Sequence, residues 1–502
     1  MAGVGILARP VTTYFGHLEL SVWPSELIVI FTVALGPPVS QAADFWGRKW
    51  FLVILTASGA VGSVIVATAH STGTLIFGYC AMSAAFGAQS LLFAVVSEVL
   101  PRKHRPTAQA VVNMTSGIGA FIGLAVGGTL LKNNHSENYR TFFYMETGIF
   151  AAAALACLFC YNPPPRELQQ ILTFSEKIRR LDWIGYTLFI PGLVLFSIAL
   201  AWSQNPYSWK NAHILGPFIC GVLLLIAFAI YEWRFKSDGM FHHGLFKNRN
   251  FPLTLVLIFT EGLSFFTTTN YFAFQFSLFI HVDLLEAGMA FGIVFLSTVV
   301  FAAVFGFYAT KRRQFWDALL VGCLALLVFN ILMATSKPST PKPAYWGYPI
   351  LAGVGLGAIL PLSMAAVQLS TPAELISITS GLVLAVRSLG ASIGIPTNNA
   401  IFSGTLTTQI SSKVVPAVLG LGLPPSSLEM FIPALMANDQ AALAEIPGVT
   451  PAIIGAAAQA LVDGYAIAFR NVWITAAVFL FVAIIGKLSF LGLVFVLYQT
   501  AG

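Results

Sequence analysis

The sequence predicts an all-α protein that crosses a membrane many times, and three observations carry this prediction. Apolar residues make up 57% of the 502 residues and charged residues only 9%, a balance that ordinary soluble domains do not have. The apolar residues form runs of about 20, the length that a helix needs to cross a bilayer core of about 30 Å. Lysine and arginine gather in the short turns between these runs, as they do in polytopic helical proteins.

A search with that length indicates thirteen membrane-spanning segments. They are 24–43, 50–69, 74–97, 107–131, 142–161, 183–202, 213–233, 251–280, 287–309, 317–335, 346–370, 376–402 and 471–498. Residues 1–23 contain no run long enough to span and do not read as a cleavable signal peptide. The longest connection, 403–470, is predicted to form a partly helical extracellular cap.

The distribution of charge predicts the orientation of the chain. The cations of the turn 44–49 lie on the same side of the membrane as those of 102–105 and 311–313, and lysine and arginine prefer the cytosolic side. The formal net charge of +6 belongs to these turns and forms no continuous basic stripe, so a nucleic-acid partner is not expected.

Catalytic, metal and cofactor sites are not predicted. The chain has no phosphate-binding loop with the pattern G-x-x-x-x-G-K-S/T, no H-E-x-x-H motif and no convincing nucleophile and base pair, so ATP-driven pumping and hydrolysis both lack a motif. The cysteines fall inside apolar segments, which argues against a disulfide framework or a metal cage. They are Cys80, Cys157, Cys160, Cys220 and Cys323.

The turn between the first two segments carries the clearest motif. It reads Q-A-A-D-F-W-G-R-K over residues 41–49 and resembles the D-x-x-G-R-K/R loop of the major facilitator superfamily. The resemblance extends to Ser97–Arg105, Leu181–Gly185 and Ala385–Gly390. It is strongest to the fungal fourteen-helix drug:proton antiporters, the trichothecene-efflux-pump-like group.

This resemblance implies two helical bundles joined by an inserted pair of helices. Residues 24–161 would form the N-terminal bundle, 162–250 the linker and the inserted pair, and 251–502 the C-terminal bundle with the loop 403–470. Fourteen helices are expected where thirteen segments are found, so we expect the first helix of the fold to be missing and residues 1–23 to be a short N-terminal segment.

The resemblance also implies a cytosolic gate formed by Asp44, Gly47, Arg48 and Lys49, whose charges bridge the bundles in one state and separate in the other. The glycines of segment 107–131 resemble the antiporter motif G-P-x-x-G-G, with Leu124 in place of the proline. A plain helix-packing face explains them equally well. These glycines are Gly119, Gly123, Gly127 and Gly128.

Ionisable residues inside spans indicate where transport takes place, because burying one at a helix centre costs about 2.5 to 3.5 kcal/mol on insertion scales. Glu261 and Arg387 are the clearest cases. Thr268 and Gln275 fall near the face of Glu261, and Asn398 near that of Arg387. This arrangement predicts contacts with a bulky amphipathic ligand or with a proton, although a structural ion pair explains Glu261 and Arg387 equally well.

Two further residues complete the predictions. Gln89 is the best polar candidate from the N-terminal half, either for the ligand or for a bond to a neighbouring helix. Asn134 begins the sequon Asn-His-Ser in a predicted extracellular loop, where glycosylation is expected.

The function that the resemblance implies is secondary active transport by alternating access. The expected reaction is proton-coupled export of a hydrophobic drug, mycotoxin or other secondary metabolite across the plasma membrane. The expected partners are a small-molecule substrate, a proton gradient and the lipid bilayer. However, the family's arginine in an R-x-x-Q-G pattern is absent from segment 74–97. This absence and the missing first helix leave a receptor that does not transport and a truncated inactive form as alternatives. Siderophore-type uptake is a further alternative, because the sequence does not indicate the direction of transport.

Overall fold

The computed structural model describes residues 2–16, 20, 23–131, 138–165, 167–202, 209–236, 239–240, 243–247, 250–372, 375–437 and 439–488. Throughout this part of the chain the regular structure is helical. The first helices are α1 (Ala2–Tyr14), α2 (Trp23–Trp46), α3 (Arg48–Ala67), α4 (Thr72–Ser83), α5 (Gln89–Val99), α6 (Arg105–Leu131), α7 (Tyr139–Cys160), α8 (Glu167–Ile171), α9 (Phe174–Arg180), α10 (Trp183–Trp202) and α11 (Ala212–Arg234).

The second part of the chain continues the same pattern. Its helices are α12 (His243–Phe246), α13 (Asn250–Ile280), α14 (Leu284–Arg312), α15 (Trp316–Thr335), α16 (Lys342–Ser370), α17 (Ile376–Gln409), α18 (Val415–Gly420), α19 (Leu428–Ala437), α20 (Gln440–Glu445) and α21 (Pro451–Leu488). Within the described residues, thirteen helical segments are long and apolar enough to cross a membrane. The predicted all-α polytopic membrane protein is confirmed.

The spans form two bundles. Helices α1 to α7 pack together in the N-terminal half, and α13 to α21 in the C-terminal half. Helices α10 and α11 pack mainly on each other and touch the rest through α2 and α17. The two bundles meet along α2 against α17 and along α6 against α14. Below, the end of the molecule at which α2 finishes is called the Asp44 end, and the end at which it begins is called the Trp23 end.

The segment before the first span is a short packed helix. Helix α1 has 13 residues and is not among the candidate spans, as expected for residues 1–23. It buries Val4, Leu7 and Val11 completely or almost completely, in contacts with α2 and α6.

The predicted span 74–97 is not one continuous α-helix. Helix α4 gives way to a five-residue 3₁₀ stretch, Ala84–Ala88, before α5 begins. Four of its five residues are alanine or glycine, and a Cβ on Gly87 would lie 2.8 Å from the Leu35 side chain of α2. The tightened turn therefore lets this segment lie close against α2.

The predicted extent of the loop 403–470 is wrong. Helix α17 continues to Gln409, a π-helical turn and α18 carry the chain to Gly420, and α21 begins at Pro451. The hydroxyl groups of Thr407 and Thr408 donate to the carbonyl oxygens of Ser403 and Gly404, each at 2.9 Å, so these polar residues satisfy themselves within a helix. A search for apolar runs does not recognise such residues as helical.

Candidate functional site

Arg48 links the two bundles at the Asp44 end. Its guanidinium donates to Asp44 at 3.3 Å and also to Glu98 and to Ser377. Ser377 belongs to α17 of the C-terminal bundle, whereas the other partners belong to the N-terminal bundle. Arg48 is only 3% exposed, so water screens these charge-assisted bonds little. We call Asp44, Arg48, Glu98 and Ser377 the Arg48 latch.

The neighbours of Arg48 have different roles in this turn. Gly47 has a φ of +92°, a left-handed conformation that a residue with a side chain rarely adopts, and it allows α2 to reverse directly into α3. Lys49 donates to Asn162, a residue that follows α7 of the same bundle. Of the two adjacent cations, Arg48 therefore bridges the bundles and Lys49 does not.

A second cluster links the bundles at the same end through hydroxyl and amide side chains and one arginine. Gln368 of α16 accepts from Ser97 and, at 2.8 Å, from Gln109, and its amide donates to Ser380 at 2.7 Å. Arg105 donates to the main-chain carbonyl oxygen of Gln368 at 3.0 Å. We call Ser97, Arg105, Gln109, Gln368 and Ser380 the Gln368 network. All five side chains are buried.

Glu261 and Arg387 form a bidentate ion pair in the C-terminal bundle. The Arg387 Nε and Nη2 atoms donate to the two Glu261 carboxylate oxygens at 2.7 and 2.9 Å. Glu261 has no exposed surface, and the Arg387 guanidinium carbon also lies 4.7 Å from the centre of the Phe265 ring. Such a fork geometry is the strongest form of carboxylate recognition by arginine.

Two glycines bring the helices of this pair together. A Cβ on Gly262 of α13 would lie 2.9 Å from the Arg387 carbonyl carbon, and one on Gly390 of α17 would lie 3.1 Å from the Leu263 nitrogen. Larger residues would push α13 and α17 apart, because real Cβ atoms rarely come so close. Close backbone packing therefore sets the geometry of the ion pair.

The predicted stripe on α13 does not form one surface. Thr268 is buried and its hydroxyl donates to the Ser264 carbonyl oxygen of its own helix at 2.8 Å. Gln275 accepts from Trp473 of α21 at 2.7 Å and donates to the Met333 carbonyl oxygen at 3.3 Å. The interpretation of Gln275 as part of a ligand face with Glu261 is corrected here: its side chain belongs to the core of the C-terminal bundle.

Asn398 and Gln89 lie apart from the Glu261–Arg387 pair. Asn398 is 1% exposed and its amide nitrogen donates to the Thr267 hydroxyl oxygen at 2.7 Å, which joins α17 to α13 a second time. Gln89 begins α5 directly after the 3₁₀ stretch and is half-buried. Among the described residues its side chain forms no hydrogen bond.

The glycines of α6 divide into two groups. Gly127 and Gly128 are buried, and a Cβ on Gly128 would lie 2.8 Å from the Leu285 side chain of α14. Gly123 is half-buried. Gly119 is exposed, and a Cβ there would meet no atom within 4 Å. The prediction that Gly119 packs against another helix is therefore wrong. Asn134 lies outside the described residues.

Comparison with known proteins decides the family. The family model described as Major Facilitator Superfamily matches residues 12–395, which is more than half of the chain. The chain belongs to the Major Facilitator Superfamily. Its resemblance to fungal efflux transporters of this superfamily, predicted from the turn at Asp44, is confirmed by the relatives described next.

Several fungal members of the superfamily are similar over most of the chain. The MFS-type transporter ucsD of Acremonium sp is 25% identical over 403 residues, which cover 78% of this chain and 66% of that protein. The chain thus spans slightly less than two thirds of the length of this relative. The aspyridones efflux protein of Neocamarosporium betae is 23% identical over 394 residues, covering 78% of this chain and 69% of the relative.

A solved structure shares the fold. It is a bacterial homolog of the human lysosomal transporter Spinster, in an inward-facing and occupied conformation, with a TM-score of 0.55 and 16% identity. The comparison covers 96% of this chain and 94% of the bacterial one. At this identity it shows that the facilitator fold extends along the chain, and it carries no information about substrate.

Some polar residues of this facilitator were not singled out from the sequence. Glu98 and Ser377 complete the Arg48 latch, and Gln368 connects the second network. Glu26 of α2 is 1% exposed and has no hydrogen-bond partner in the described structure. A search for acidic residues inside spans would have found Glu26, whereas serine and glutamine carry a weaker signal because they are uncharged.

Proposed function

We propose that the chain exports hydrophobic secondary metabolites in exchange for protons and works by alternating access. The observation that carries the proposal is the bidentate pair of Glu261 and Arg387 inside a membrane span. Ionisable groups are costly at this depth and mark ion or substrate pathways in membrane proteins. The substrate class is inferred from the relatives, among them an aspyridones efflux protein.

Glu261 is the proposed site of the coupling proton. In its ionised form it holds Arg387 in two charge-assisted bonds, and protonation would remove the negative charge and one acceptor position. Arg387 would then carry an unbalanced charge beside the Phe265 ring. Protonation of Glu261 would thus free Arg387 to bind the substrate. This exchange of Glu261 for the substrate would couple the proton to transport.

Alternating access requires that one end of the molecule is closed while the other opens. The Arg48 latch and the Gln368 network both cross from the N-terminal to the C-terminal bundle at the Asp44 end. They support the assignment of this end as a gate that is closed in the present arrangement. Opening it requires both sets of bonds to break, with water replacing them.

Accumulation of dye in cells tests the proposal. Yeast expressing the chain is loaded with rhodamine 6G at an acidic external pH, with and without a protonophore, and compared with cells expressing Glu261→Gln. Without the protonophore, we expect cells expressing the wild type to contain less dye than cells expressing Glu261→Gln. With the protonophore, we expect the two kinds of cell to contain equal amounts of dye. Equal accumulation in all cells over a panel of hydrophobic dyes would contradict export. Protonophore-sensitive uptake of a ferric chelate would instead establish an importer.

A further inference from the structure

Glu26 is a buried carboxyl group that the proposed export mechanism does not use. It lies three residues after the start of α2 at the Trp23 end, about 27 Å along the helix from Asp44 at 1.5 Å per residue. Its side chain is 1% exposed, and in the described part of the chain neither carboxyl oxygen has a hydrogen-bond partner. An ionised carboxylate in such surroundings is strongly disfavoured.

The position of Glu26 lies in the contact between the two bundles. Helices α2 and α17 are antiparallel: a Cβ on Gly381 would lie 3.2 Å from the Gly36 carbonyl oxygen, and Val29 shares a packed cluster with Ala391 and Ile395. Residue numbers thus fall along α2 as they rise along α17. Glu26 is one helical turn before Val29 and on the same face.

The antiparallel packing of α2 and α17 also places Asn398 at about the height of Glu26 along the bundle. One turn beyond Ile395 on α17 lies Asn398, whose side-chain oxygen is buried and has no hydrogen-bond partner among the described residues. The Thr267 hydroxyl donates to the Leu263 carbonyl oxygen at 2.8 Å, so toward Asn398 it acts as the acceptor for the amide nitrogen. The Asn398 oxygen is therefore left to accept a hydrogen bond from another donor.

No cation among the described side chains balances a charge on Glu26. Neither carboxyl oxygen accepts a hydrogen bond or forms a salt bridge with a described side chain. Arg387, on the facing helix α17, is engaged by Glu261. The remaining ionisable residues of the helices that pack on α2 away from the Asp44 end are Arg9 and Tyr14 of α1 and Tyr79 and Cys80 of α4.

We propose that Glu26 is a proton-binding site within the contact of α2 and α17, separate from the Glu261–Arg387 pair. A protonated carboxyl group can donate to the Asn398 oxygen, which would satisfy both groups and let the bundles pack together at the Trp23 end. Loss of the proton leaves a charge that requires water, and water reaches this position only if the bundles separate there. A proton that binds from the Trp23 side therefore favours closure of that end.

The consequence for transport rests on the proposed exchange of substrate for protons. Closure of the Trp23 end by a proton would precede opening of the Asp44 end, where the Arg48 latch breaks. Glu26 would thus determine that the Trp23 end closes before the Asp44 end opens, and Glu261 would couple the proton to the substrate.

Infrared difference spectroscopy of the purified protein in lipid nanodiscs tests the site without any substrate. On raising the pH, we expect the wild type to lose a carbonyl stretch of a protonated carboxyl group. Glu26→Gln, which mimics the protonated form, should lack this band, and Glu429→Gln, at an exposed carboxyl group of α19, should retain it. Identical spectra for the wild type and Glu26→Gln would overturn the proposal.

Two further comparisons separate this proposal from its alternatives. If Arg9→Gln raised the pH at which the band is lost, Glu26 would be half of an ion pair with Arg9 and the proposal would fail. In proteoliposomes, Glu26→Gln should lose the dependence of rhodamine 6G export on the pH at the Trp23 side but keep dye exchange without a gradient. A wild type that exports no dye contradicts the proposed export reaction, whereas the infrared band decides the proton site independently.

Discussion

Two arginines, the buried Arg48 and the half-buried Arg387, each bond a glutamate, yet they join different parts of the molecule. Arg48 reaches Ser377 in the opposite bundle, whereas Arg387 and Glu261 belong to helices of the same bundle. Separation of the bundles at the Asp44 end must therefore break the Arg48 latch, but it leaves the Glu261–Arg387 pair intact. In the proposed mechanism, the bonds of Arg48 therefore change when the bundles move, and those of Arg387 change when a proton or a ligand binds.

The largest expected effect concerns stability within one bundle. Arg387→Ala leaves the Glu261 carboxylate, which has no exposed surface, without its partner, and breaking a buried pair in this way lowers the free energy of unfolding by about 3–5 kcal/mol. Glu261→Gln should lower it less, because the amide oxygen still accepts from the guanidinium. Thermal unfolding in detergent measures both. The exposed Arg470→Ala is the control, and equal stability of Arg387→Ala and this control would refute the structural importance of the pair.

The next effect concerns the gate. In a background without the native cysteines, Thr371→Cys places a thiol at a buried position at the Asp44 end. We expect Arg48→Ala to increase the rate at which a water-soluble maleimide labels this thiol, because the latch no longer holds the bundles together.

Lys49→Ala is the matched control for the gate. Lys49 is the adjacent cation but bonds Asn162 in its own bundle, so its removal should leave the labelling rate near that of the parent. Equal increases for both variants would mean that the charge of the turn matters and the bond across the bundles does not.

A smaller effect is expected from the Gln368 network. Gln368→Ala removes neutral hydrogen bonds, each of which contributes about 0.5–1.5 kcal/mol, so labelling of Thr371→Cys should rise less than with Arg48→Ala. Ser370→Ala serves as control, since its hydroxyl donates only to the Val367 carbonyl oxygen of its own helix. An increase larger than that of Arg48→Ala would make Gln368, rather than Arg48, the main closure of this end.

The spans were predictable because the lipid environment imposes an apolar run of fixed length on every crossing. The 3₁₀ stretch at Ala84–Ala88 and the extension of α17 were not, because they depend on packing against α2 and on hydroxyl bonds within a polar helix. Glu261 and Arg387 were recognisable because charges within spans are rare. Helical spacing alone placed Gln275 with them, since an angle around a helix does not reveal which neighbour, here Trp473, fills that side.

In the proposed mechanism Glu261 carries the coupling proton. Its most direct test is rhodamine 6G transport into or out of proteoliposomes under an imposed pH gradient, measured with dye binding on the same preparations of wild type and Glu261→Gln. We expect the variant to bind dye as the wild type does but to show no gradient-driven flux. Gradient-driven flux by Glu261→Gln at the wild-type rate would contradict it.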